Sequence, residues 1–343
     1  MQNAQSTPSS RPVRVDIALQ GGGAHGAFTW GALDRLLEDE DLVFDGISGT
    51  SAGAMNAVVL ADGYARGGGK AGAQRALQRF WRAVSDMARF SPLQRSPLDS
   101  MMGRWSMDGS IAYLWFQLAS NLVSPYQFNP ANLNPLRELL VGLVDFDRVR
   151  SCEELKLFIS ATNVRTGRAR IFRRAELGID HLLASACLPQ LYQAVDIDGE
   201  AYWDGGYMGN PALFPLIDET AAHDLIIIQV NPVLRPELPR TAVEITNRLN
   251  EITFNASLVR EIASIVLLKE LIDEERIDRA RFTEMRLHQI DADEELLRLS
   301  VSSKFNADWN FLQYLHGVGY CAANRWLATN AQFLGTQSTL KLA

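Results

Sequence analysis

Cysteine is scarce in this chain of 343 residues: only Cys152, Cys187 and Cys321 occur. The number is odd and no two stand at metal-ligand spacing. Neither a disulfide framework nor a metal site is therefore expected, and a reducing compartment is the default. Histidine is nearly as sparse, with five residues at 25, 181, 223, 288 and 316 and no His-x-x-x-His pair. Long apolar runs are missing too. The densest, around 111–123 and 225–230, fall short of the roughly 18 residues that a membrane-spanning helix needs. Basic stripes are absent: 33 Lys and Arg face 40 Asp and Glu, for a net charge of -7. That balance argues against a nucleic-acid partner. Residues 1–12 lack the charged start and apolar core of a secretory signal. They are polar and rich in Ser, Pro, Gln and Asn, so a disordered tail is expected. The expected location is cytoplasmic, with peripheral, transient contact with a membrane surface at most. Nothing in the composition speaks to oligomeric state.

What is present suits a packed globular fold: 47% of residues are hydrophobic and 21% charged. Val13–Leu19 reads as a short buried strand running into a glycine loop. Residues 27–39 carry helical apolar spacing, 43–48 a second strand, and 54–65 a helix of small residues. A helix over 73–89 follows. Residues 91–135 differ in texture, with five prolines and aromatic clusters at Trp105, at Tyr113, Trp115 and Phe116, and at Tyr126 and Phe128. They read as an insertion or cap, whose Met and aromatic side chains suit either acyl chains or a satellite core. Strands are expected at 156–164, 168–173, 194–202 (turning at Asp198-Gly199) and 224–230. Two long helical segments, 241–277 and 308–330, flank a strand-like 284–290. Alternating strands and helices predict an α/β class. A single domain is expected over 13–335, with 241–335 as a C-terminal helical extension.

Gly49-Thr50-Ser51-Ala52-Gly53 fits G-x-S-x-G. A serine at a sharp strand-to-helix turn has a strained backbone. Only glycines two positions to either side let strand and helix approach so closely. The turn lifts the hydroxyl to a helix N-terminus, which favours developing negative charge. Ser51 is the candidate nucleophile.

The earlier run Gly21-Gly22-Gly23-Ala24-His25-Gly26 is open to three readings. Gly21-x-Gly23-x-x-Gly26 between strand and helix fits a dinucleotide fingerprint, with Asp45 near the place of a ribose-binding acid. Under that reading the chain is a NAD-binding oxidoreductase. Consecutive glycine N–H groups also suit an oxyanion hole. A tight turn without a ligand is the third.

A nucleophilic serine needs a base, ordinarily histidine. No histidine has a convincing setting: His25 lies inside the glycine loop, and the others sit at element ends or in amphipathic segments. Asp204 ends a strand-like segment and is followed by Gly205-Gly206. A carboxylate in a partly dry pocket is basic enough to take the serine proton directly.

These three pieces, in this order, resemble the patatin-like phospholipase family. Ala184-Ser185 with Pro189, Asp198-Gly199, Asp204-Gly205-Gly206 and Asn210-Pro211 fit as well, so the resemblance runs from about Val13 to Leu216. It implies a patatin-like three-layer sandwich with a central, mostly parallel sheet, related to α/β-hydrolases. It also implies a Ser51–Asp204 dyad without a catalytic histidine. Gly21, Gly22 and Gly23 become the oxyanion hole, and Gly26, Gly49, Gly53, Gly205 and Gly206 the supporting motif glycines. The implied substrate is a lipid or other carboxylic ester, cleaved through an acyl-enzyme with no metal and no cofactor. An acyltransferase would use the same dyad with an alcohol as acceptor. Many relatives carry Arg or Lys where this chain has His25.

Overall fold

The computed structural model describes residues 12–340, apart from 90, 92–93, 97–98, 100, 111, 114, 116–121 and 275–283. The predicted tail at 1–12 therefore lies outside the described residues except for Pro12. So does part of the predicted cap, Phe116 included.

Strands β1 (Val13–Leu19), β2 (Leu42–Gly49), β3 (Lys156–Asn163), β4 (Ala169–Arg173), β5 (Val195–Ile197), β6 (Glu200–Asp204), β7 (Asp224–Ile228) and β8 (Arg286–Ile290) form one sheet among the described residues. Its order is β5-β6-β3-β2-β1-β7-β8, with β4 paired to β3. β3, β2, β1, β7 and β8 run parallel, while β4 and β6 are antiparallel to β3.

Period-two alternation sorts the central strands onto two cores. Ile17 and Leu19 of β1 and Ile226 and Ile228 of β7 face one core. Ala18, Leu225 and Ile227 face the other. Helices α1 (Gly26–Leu37), α2 (Ala52–Gly63), α3 (Gly69–Ala88) and α9 (Trp309–Asn330) cover the first face. With them lie the shorter α4 (Pro135–Leu143), α5 (Phe146–Ser151) and α6 (Ile179–Ser185). Helices α7 (Phe214–Glu219) and α8 (Ala242–Asp273) cover the second. The result is a three-layer α/β sandwich. Each fully buried side chain such as Phe28, Leu33 or Phe311 contributes roughly 1.5–3 kcal/mol.

Residues 241–335, read from sequence as a helical extension, are woven into this domain. β8 lengthens the sheet beside β7, α8 lies on one face and α9 on the other. Helices α1 and α9 touch backbone to backbone. A β-carbon added at Gly31 would stand 1.9 Å from the His316 carbonyl oxygen, and one at Gly319 would stand 2.0 Å from that of Phe28.

β3 is the strand that places the site. Phe158 and Ile159 pair with both β2 and β4, so those two strands lie on opposite edges of β3. Ala161 and Thr162 pair with both β4 and β6. β6 therefore takes the β2 edge, just past the point where β2 ends at Gly49. Its last residue, Asp204, is registered with Ala161, two residues beyond the Gly49–Ile159 pair. The strand that carries Asp204 thus continues the line of the strand that leads into Ser51.

Candidate active site

Ser51 stands between β2 and α2 with φ 53° and ψ -120°, a left-handed conformation that costs a serine free energy and is held by its surroundings. Its N–H donates to Ser185 Oγ at 2.9 Å, so Ser185 helps hold the floor of the turn. The Thr50 and Ser160 hydroxyls converge on the Gly209 carbonyl at 2.6 and 2.7 Å. The flanking glycines are required by space: a β-carbon at Gly49 would lie 2.7 Å from the Gly53 carbonyl carbon, and one at Gly53 would lie 2.2 Å from the Leu19 oxygen.

Asp204 is 1% exposed. Its N–H donates to the Cys187 carbonyl at 2.8 Å, and its own carbonyl accepts from Thr162 Oγ1 at 2.8 Å. Oδ1 accepts the Gly206 N–H at 2.7 Å. Oδ2 is buried and takes no hydrogen bond among the described residues. Burial pushes the carboxyl up to about 7, against smaller lowering effects from the Gly206 N–H, the Ser51 hydroxyl and Lys304. The Ser51 hydroxyl is therefore among the groups that act on this carboxylate. Gly205 packs on Ser160 and Gly206 on Phe254 of α8.

The first glycine loop lies against the elbow. A β-carbon at Gly21 would stand 2.9 Å from Ser51 Cβ, and one at Gly26 would stand 2.7 Å from Ala52 Cβ. Gly21 differs from its neighbours as a donor, because its N–H already donates to Asn210 Oδ1 at 2.7 Å. It is therefore not available to an oxyanion, which corrects its place among the three expected donors. The N–H groups of Gly22 and Gly23 have no hydrogen-bond partner among the described residues. Asp45, the acid of the dinucleotide reading, accepts the Ala221 N–H at 2.6 Å and faces Arg14 and Lys156.

Four of the five histidines are engaged elsewhere, and His223 is exposed just before β7. His25 Nε2 bonds Ser303 Oγ at 2.7 Å, and burial, aided by the Lys304 charge, lowers it to about 3. His288 pairs with Asp224 at 3.0 Å and His316 with Asp34 at 2.8 Å. The His181 ring accepts the Gly178 N–H. The Cys187 thiol, beside Asp204, is raised to about 12 by burial and then by the carboxylate charge, so it stays protonated. Among the described residues no group of three or more His, Cys, Asp or Glu is arranged to hold a metal ion.

Sequence reading did not single out Asn231 or Lys304. Asn231 Nδ2 donates to the Gly21 carbonyl at 2.8 Å, and Lys304 Nζ donates to Asn231 Oδ1 at 2.5 Å. Neither belongs to a recognisable motif, and only tertiary packing brings them to the loop. A cavity of about 230 Å³ opens beside Cys187, lined by Asn132, Asn134, Arg137, Asp180 and Tyr192 among others.

The expected cap divides. Trp105 stacks near Phe311 and Tyr314, and Met107 and Tyr113 are buried. Met101, Met102 and Trp115 stand exposed. The arginines of the β3–β4 hairpin are largely engaged: Arg165 pairs with Glu200, Arg170 with Glu176 and Arg173 with Glu219.

The family model described as patatin-like phospholipase matches residues 17–217. The chain belongs to this family. No curated protein matches its sequence. Among solved structures, VipD from Legionella pneumophila is similar at 15% identity and a TM-score of 0.38, covering 89% of this chain and 68% of that one. The ExoU chain of the ExoU–SpcU complex from the type III secretion system of Pseudomonas aeruginosa is similar at 18% identity and a TM-score of 0.31. That match covers 72% of this chain, which spans about half of ExoU, 51%.

Proposed function

We propose that this protein is a lipid acyl hydrolase, of phospholipase A or esterase type, that works through a Ser51 acyl-enzyme with Asp204 as its base. The observation that carries the reading is the Asp204 carboxylate. It is buried beside the elbow serine with one oxygen unpartnered among the described residues, while no histidine competes for the role. Asp204 takes the Ser51 proton as Oγ attacks the ester carbonyl. The Gly22 and Gly23 N–H groups receive the oxyanion, helped by the N-terminal end of α2. Asp204 returns the proton to the leaving alcohol. It then takes one from water, which attacks the acyl-enzyme, and hands it to Ser51 Oγ as the acid is released. The chemistry needs no metal or cofactor.

A fluorophosphonate probe is expected to label the wild-type chain and not Ser51→Ala. Labelling that survives the substitution would sink the assignment. Met101, Met102 and Trp115 support transient contact with a lipid surface. Replacing all three with serine should lower hydrolysis of vesicle phospholipid at least tenfold while sparing a soluble short-chain ester. Equal losses on both substrates would remove that contact from the scheme.

A further inference from the structure

We propose that Lys304 and Asn231 are positioning residues for the oxyanion loop, holding the Gly21–Gly22 peptide so that its N–H is free for the substrate oxygen. The inference rests on the acyl-hydrolase reading of the site. Lys304 Nζ donates to Asn231 Oδ1 at 2.5 Å, and Asn231 Nδ2 donates to the Gly21 carbonyl at 2.8 Å. That carbonyl and the Gly22 N–H belong to one peptide unit, and in a trans peptide they point in opposite directions. A bond accepted by the carbonyl therefore decides where the N–H points, and polarises it into a stronger donor. The preceding peptide is held separately, by Gly21 N–H donating to Asn210 Oδ1 at 2.7 Å. Glycine peptides offer little steric resistance to rotation, so such anchors are what set the plane.

The charge has a purpose beyond the bond. The one hydrogen bond of the Lys304 amine among the described residues goes to a neutral amide, an expensive arrangement for a desolvated ammonium. The residue keeps some exposed surface, yet its amine is deep enough that burial lowers it to about 8. The charged groups that act on it are Glu251, Arg235 and Asp204, and His25 lies near enough to feel its charge. Glu251 is already paired with Arg235 and Arg248. The cation is thus left facing the Asn231 relay and Asp204. Its segment, Val301–Phe305, is seated directly on the loop: Ser303 Oγ bonds His25 at 2.7 Å, and a β-carbon on Gly23 would lie 2.5 Å from the Lys304 carbonyl oxygen. Both positioning residues lie beyond residue 217, where the family match ends.

The test is steady-state hydrolysis of p-nitrophenyl butyrate, with fluorophosphonate labelling, by wild type, Lys304→Met, Lys304→Arg, Asn231→Ala and the Lys304→Met/Asn231→Ala double variant. Lys304→Met and Asn231→Ala should each lower kcat about 10–100-fold with KM within about twofold, the scale of a weakened oxyanion donor. The double variant should be no worse than the poorer single, because the two residues act in series. Lys304→Arg should recover to within about fivefold of wild type. Wild-type kcat should fall above about pH 8 as the amine loses its proton, and Lys304→Arg should not share that fall. In Lys304→Met the acid limb should move to higher pH, because Asp204 loses a neighbouring cation. Full kcat in Lys304→Met or Asn231→Ala, additive losses, or a loss that arginine leaves untouched would overturn the inference alone. A wild-type chain that takes no label overturns the site reading and this inference together. If Lys304→Met does not fold, Asn231→Ala and the Lys304→Arg pH profile decide the matter.

Discussion

A carboxylate that is 1% exposed, with one oxygen lacking a hydrogen bond among the described residues, is disfavoured as an anion. For Asp204 this has two consequences. Activity that depends on its ionised form should rise with pH through about 7, before the fall above about pH 8 that loss of the Lys304 proton brings. Stability should move the other way. The folded state keeps the proton longer than the unfolded chain, whose aspartate titrates near 3.8. Between these values the native state binds more protons, so stability falls as pH rises and is lowest above about 7. Asp204→Asn should therefore lose several orders of magnitude in turnover while melting a few degrees higher than wild type at pH 8. That advantage should shrink toward pH 4. A variant that melts lower than wild type at pH 8 would mean that the carboxylate supports the fold.

Glycine at element contacts acts through space more than through backbone freedom. Helices α1 and α9 meet where Gly319 faces the Phe28 carbonyl, and a methyl group there must push two backbones apart. Gly319→Ala should cost about 3 kcal/mol or more in denaturant unfolding. Gly67 is the contrast: its φ is 92° and, among the described residues, nothing beyond its own stretch of chain lies within 4 Å of an added β-carbon. Gly67→Ala should cost only about 1–2 kcal/mol, from the left-handed backbone alone. Similar losses at the two sites would mean that α1 and α9 yield easily.

At the scale of the molecule, the family match stops at residue 217, but the fold does not. β8 and α9 both come later, and α9 buries Phe311, Leu312 and Leu315 against the first core. Ending the chain at residue 283 would expose that core and the β7 edge. Such a chain should show no cooperative thermal transition by calorimetry. A sharp transition near that of the full chain would mean that residues 12–283 fold alone. Among the described residues no helix is long and apolar enough to cross a membrane.

The sequence by itself determined what depends on near neighbours. The alternation in Val13–Leu19, the apolar run at 224–230 and the spacing of Gly49, Ser51 and Gly53 are local signals, and the strands and the elbow followed from them. Asp204 was legible as a candidate because two glycines follow it and the family pattern points to it. Boundaries drifted by a few residues, as with α3, which begins at Gly69 rather than 73, because helix ends are set by what packs on them. The loop's chemistry was not legible. Three consecutive glycines look alike in sequence, yet Gly21 gives its N–H to a side chain 189 positions away, while Gly22 and Gly23 keep theirs free among the described residues. The buried cation is supplied by Lys304, in a segment with no motif. Only the tertiary structure decided these points. A peptide group's orientation and a carboxylate's basicity depend on which distant atoms displace water from around them, and chain order carries no record of that.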